Sequence, residues 1–83
     1  MIRVVKVKAK DDFTLEIRFT DGRLKSFDMK PYLKYPAFKP LNELSKFKNI
    51  SVEYGTVQWG NELDISPDTL YLESVEIEKL VNV

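Results

Sequence analysis

The densest group of side chains able to do chemistry is Asn61, Glu62, Asp64 and Asp68, which follows Trp59-Gly60. Oxygen donors of this kind suit hard cations such as Ca²⁺ or Mg²⁺, and carboxylates working with Mg²⁺ are the one route to an enzyme left open. The spacing departs from that of an EF-hand loop. A turn at Asn61, a strand flank at Asp64 and a helix first turn at Asp68 account for the same residues with no ligand at all. The chain has no His and no Cys, which removes thiolate chemistry, disulfides, nucleophile–His pairs and His-containing zinc sites. It has no glycine-rich phosphate loop, since Gly22, Gly55 and Gly60 each fall at a turn. The expectation is a non-enzyme with no catalytic, cofactor-binding or metal-binding residues.

Side chains suited to binding a partner are more plentiful. Trp59, the single tryptophan, is either a partner anchor or core, because large aromatics fill both roles. Tyr32, Tyr35 and Phe38 interleave with Lys30, Lys34 and Lys39, a pattern that can stack and neutralise single-stranded nucleic acid. The end of the chain sets Val75, Ile77 and Leu80 among Glu73, Glu76 and Glu78, as in an edge strand or helix offered to another chain. Glu62 and Asp64 complete the set of interaction candidates.

The elements that must position these residues follow from periodicity. Residues 3–9 and 13–19 read as strands; in the second, Phe13, Leu15, Ile17 and Phe19 alternate with Thr14, Glu16 and Arg18. Asp11-Asp12 and Asp21-Gly22 turn the chain on either side. Residues 23–28 return, with Leu24 facing inward and Phe27 near a strand end or bulge, to close a three-stranded antiparallel meander. A single helical turn is expected over 30–34 with Pro31 first, then an irregular linker over 35–41 anchored by Phe38 and Leu41. Asn42 serves as N-cap for a short helix to Lys48 that carries Leu44 and Phe47. Strands follow at 50–54, 56–59 and 63–65, with Gly55 as a turn. Ser66-Pro67-Asp68 starts a helix that ends near residue 73. From residue 73 on, Val75 and Ile77 suit a strand, while Ile77, Leu80 and Val81 lie at helical spacing. The fold class expected is α+β: a small antiparallel sheet that begins with the meander, plus short helices.

Eighty-three residues support one domain, 1–83, with 73–83 as an interaction tail. No apolar run reaches the length of a membrane span and the start lacks a signal-peptide core, so the expected setting is cytoplasmic. Net charge is zero but polarised: residues 1–48 hold 12 Lys or Arg against 6 Asp or Glu, and residues 49–83 hold 1 against 7. Either the two faces differ in charge, or the halves interleave in one sheet and neutralise each other.

The order of landmarks is Leu15-x-Ile17-x-Phe19-x-Asp21-Gly22, Phe27-Asp28, Phe38-x-x-Leu41, Phe47, Val52 and Trp59-x-x-x-Leu63-Asp64-Ile65-x-Pro67-Asp68-x-Leu70-Tyr71. It resembles a family of small bacterial proteins catalogued as a domain of unknown function, number 2442, over roughly residues 2–72. The closing stretch from Trp59 is the most specific part. Where such members have Pro after the Trp, this chain has Gly60 and a looser turn. The resemblance implies a compact α+β fold, no enzymatic activity, and in some members an antitoxin-like role beside a co-encoded small protein; it brings no site residues. The function expected is a protein-interaction module whose partner binds residues 73–83. A nucleic-acid-binding regulator using the basic half is the alternative, and an exposed sheet edge would also permit homo-oligomers.

Overall fold

A computed structural model describes residues 1–60 and 62–78. The strands are β1 (Val4–Ala9), β2 (Thr14–Phe19), β3 (Leu24–Asp28), β4 (Ile50–Glu53), β5 (Thr56–Trp59), β6 (Leu63–Ile65) and β7 (Val75–Glu78). Two short helices, α1 (Leu44–Phe47) and α2 (Pro67–Glu73), and 3₁₀ segments at Lys30–Tyr32 and Pro36–Asn42 complete the chain. All strand pairs are antiparallel, in two sheets ordered β1-β2-β3-β7 and β4-β5-β6. The α+β class and the opening meander are as the sequence predicts. The sharing of a sheet between the halves is limited to β7, because β4, β5 and β6 form a sheet of their own.

Alternation in β2 does what period two requires: Leu15, Ile17 and Phe19 are buried while Thr14, Glu16 and Arg18 are half-buried. The register then corrects the expectation for β3. Leu15 pairs with Phe27 and Ile17 with Lys25, so Leu24 lies half-buried on the other face, while Phe27, next to last in β3 and so near the strand end as expected, is buried. Phe13 does not continue the β2 alternation. It ends the Asp11–Phe13 loop at φ 64, donating its N–H to the Lys10 carbonyl while Lys10 N–H reaches the Thr14 carbonyl. Gly22 holds the matching place in the next hairpin at φ 89, where glycine is the natural occupant. Phe13 tolerates it because its ring packs against Phe47, 5.1 Å between centroids, and because Asp12 accepts from both the N–H and hydroxyl of Thr14. The Thr14 hydroxyl is the main cause holding the Asp12 carboxyl below its ordinary value.

Two further expectations change. Residues 36–42 are 3₁₀ helix rather than irregular linker. Asn42 does not cap α1; its amide donates to the carbonyls of Leu33 and Lys39, satisfying the preceding turns instead. Glu43 stands at the cap position with no side-chain cap bond. Ser66 does cap α2, accepting from the Thr69 N–H, with Pro67 and Asp68 in the first turn. Over 75–78 the strand alternative holds; residues 79–83, Leu80 among them, lie outside the described residues, as does Asn61.

The core is filled from both sheets. Leu15, Ile17, Phe19 and Phe27 meet Val57, Trp59 and Ile65, with Met29, Leu33, Leu41 and Phe47 from the connecting segment and Leu70 from α2. Trp59, 4% exposed, stacks on Phe47 and donates its indole N–H to the Phe47 carbonyl at 2.8 Å. Between the sheets, Val4 N–H donates to the carbonyl of Gly55, at the Tyr54-Gly55 turn of the β4–β5 hairpin. Both turn residues have positive φ, the mirror-image turn that suits strand twist. Replacing Trp59 with Phe leaves a buried carbonyl unpaired, and urea unfolding followed by circular dichroism is expected to show a loss of about 1–3 kcal/mol.

Candidate functional site

The binding candidates separate once their positions are known. Trp59 is core, so it is not a surface anchor. Glu62 just before β6 and Asp64 within it are exposed, and among the described residues no group of three acidic side chains could hold a metal ion. Tyr32 is tied down: its hydroxyl donates to Glu73, and its ring meets those of Phe27, Tyr35 and Phe38. Tyr35 is half exposed, with Lys34 at 5.8 Å from its ring. The aromatic–basic segment is therefore largely a packed cluster rather than an open stacking platform. Several lysines of the basic half are also paired, Lys10 with Glu16, Lys30 with Asp28, Lys46 with Glu43 and Lys48 with Asp11.

Val75 and Ile77 come together with Leu72 in a different setting. α2 is anchored by Leu70, fully buried, and by Tyr71, whose ring stands edge-on to Phe19 at 5.0 Å. The helix stops where Ser74 turns extended and donates its hydroxyl to the Tyr71 carbonyl. The chain then runs straight into β7. Leu72, Val75 and Ile77 are 79%, 69% and 48% exposed, the largest exposed aliphatic side chains beyond the N-terminal strand among the described residues. β7 is the end strand of its sheet: β3 lies on one side, and no strand lies on the other among the described residues. Its outer backbone groups form the template for strand pairing that natural sheets ordinarily blunt.

What fastens this edge is mostly polar. Arg23 donates to Glu76 at 2.7 Å and pairs with Asp21 at 3.3 Å, and Asp21 in turn accepts from the Tyr71 hydroxyl at 2.6 Å. Lys25 lies 4.0 Å from the Tyr71 ring centroid and donates to the Tyr71 carbonyl at 2.6 Å. A cation at a carbonyl of the helix C-terminal turn is electrostatically favourable, and over an aromatic face doubly so. Glu76, chiefly by its charge, raises the Arg23 guanidinium above its ordinary value. Desolvation is the largest influence on Asp21 and opposes ionisation, yet the bonds from Tyr71 and Arg23 together outweigh it and lower the carboxyl. Sequence reasoning missed Arg23, Lys25, Asp21 and Tyr71. No sequence signal marked them: that Lys25 stands opposite the buried Ile17 follows only from the register.

Tyr32 carries a usable titration. The bond to Glu73, then desolvation, push its hydroxyl up to about 12 from the ordinary 10.0, and Tyr71 moves up as well, chiefly through Asp21. A raised value means the contribution to stability is complete below pH 10.0 and is lost as pH climbs through about 12. Asp21 acts at the other end: its contribution is complete above the ordinary 3.8 and fades as pH falls below it. Ultraviolet titration of tyrosinate is expected to show a late step near pH 12 that Tyr32→Phe removes, while Asp21→Asn flattens the acid limb of the stability profile.

Compared with known proteins, the chain matches one family model, described as Protein of unknown function (DUF2442), over residues 4–76. No curated protein and no solved structure matches it.

Proposed function

The chain belongs to the DUF2442 family, and we propose that it is a non-enzymatic protein-interaction module that binds its partner along β7 and the end of α2. The observation that carries this is the exposed pair Val75 and Ile77 on a strand whose outer edge pairs with nothing among the described residues. Among the described residues, Leu70 is the last one buried in the core, so Val75 and Ile77 take no part in it. An open edge with apolar side chains is a liability in an isolated protein and an asset in one that docks. A small co-encoded protein, neutralised as its surface is covered, is the partner that the family resemblance suggests.

The experiment is affinity purification of the tagged full chain from its host, beside the Val75→Lys/Ile77→Lys variant, read by mass spectrometry and nucleic-acid absorbance. Circular dichroism checks that both chains fold, as the exposure of both positions requires. The expected result is a stoichiometric small protein held by the native chain and reduced at least about tenfold in the variant, because lysines on an edge strand oppose docking. Nucleic acid retained equally by both chains, with no protein, overturns the proposal.

A further inference from the structure

We infer that the outer edge of β7 accepts a partner's β-strand whose side chains alternate between basic and apolar residues. This rests on the proposal above that β7 faces the partner, and it adds the chemistry of what docks there. The first argument is local charge. From Leu70 to Glu78 the chain holds three Glu and no Lys or Arg, and β7 itself reads Val-Glu-Ile-Glu. The second argument is the strand β7 already accepts. On its inner side lies β3 with its approach, where Arg23 and Lys25 alternate with Leu24; Lys25 is in register with Glu76, and Arg23 ion-pairs with it. The fold thus displays a working complement to β7. A strand of the same character on the other side meets the same Glu76 and the exposed Val75 and Ile77, with backbone hydrogen bonds giving affinity and alternating side chains giving selectivity.

A second copy of this chain fits less well. Two β7 strands in full antiparallel overlap about a two-fold axis set Glu76 against Glu76 or Glu78 of the other copy, and like charges directly opposite are destabilising. The β1 strand has the right alternation in Lys6, Val7, Lys8, Ala9 and Lys10, but the β4–β5 hairpin already packs on it, with Val4 N–H held by Gly55.

The test uses the full chain and three labelled, end-capped synthetic peptides: Lys-Val-Lys-Val-Lys-Val-Lys, its Glu-for-Lys counterpart, and the basic peptide N-methylated at alternate backbone nitrogens. Fluorescence anisotropy at low salt is expected to show the basic peptide binding at least about tenfold tighter than either of the others. Ile77→Lys should cost it about tenfold in turn. Amide signals of β7 should move on binding. Equal binding of the N-methylated peptide would reduce the effect to charge attraction and overturn strand addition. Signal changes confined to the Glu62–Asp68 region would overturn the location. Concentration-dependent dimers of the chain alone, abolished by Ile77→Lys, would make a second copy the occupant. A protein captured through β7 by a segment that is not basic keeps the interaction module and removes this inference. Peptide binding as expected, with no protein captured from the host, does the reverse.

Discussion

The Trp59 indole donates to the Phe47 carbonyl at 2.8 Å inside the core, and the position of nearly every other element can be traced from that bond. It fixes the end of β5 to the end of α1, and so ties the second sheet to the segment that crosses over from the first. Phe47 is fully buried beneath Trp59, and Phe13 closes on it from the first hairpin. Aromatic rings deliver large buried area per residue, which matters in a chain too short to bury a second core. With the sheets held there, Leu70 reaches the same core, and α2 is placed against β3.

From α2 onward the nature of the cohesion changes. Up to Leu70 the chain is held mainly by apolar burial, which carries no titrating group. Beyond it, β7 is held by the β3 ladder and by Arg23, Asp21, Lys25, Tyr71 and Glu76 acting as one network. Exposed ion pairs contribute little individually, so β7 is fastened more weakly than β2 and leaves its outer edge unmatched. A strand placed this way adds little to the core and much to what the surface can do. That contrast is why we propose β7, rather than the lysine-rich segment, where the aromatics are spent on one another, as the interaction surface.

Much of the fold was legible because its signals are local. The β2 alternation, Asp-Gly at residues 21 and 22, and Ser66-Pro67-Asp68 each specify their geometry within a few residues. The misplacements came where long-range register decides. Leu24 faces away from the core because pairing Leu15 with Phe27 sets the inward phase of β3, and no property of residues 23–28 alone reveals it. Asn42 looked like a cap, yet its amide found the carbonyls of Leu33 and Lys39 first. Phe13 took a left-handed backbone that only its contact with Phe47 makes tolerable. At the candidate site, Val75 and Ile77 could be picked out from alternation, whereas the polar fasteners beneath them join residues some fifty positions apart, such as Asp21 with Tyr71.

The most direct measurement is site-specific photocrosslinking in host cells, with a photoreactive side chain at position 77 and, in a separate chain, at Tyr54, which is 91% exposed against 48% for Ile77 and lies in the β4–β5 turn of the other sheet. The account predicts one discrete protein adduct from position 77, with the crosslinked segment an extended stretch of alternating basic and apolar residues, and little from position 54. Adducts from position 54 with none from position 77 would contradict it, and would place the working surface on the β4–β5 hairpin.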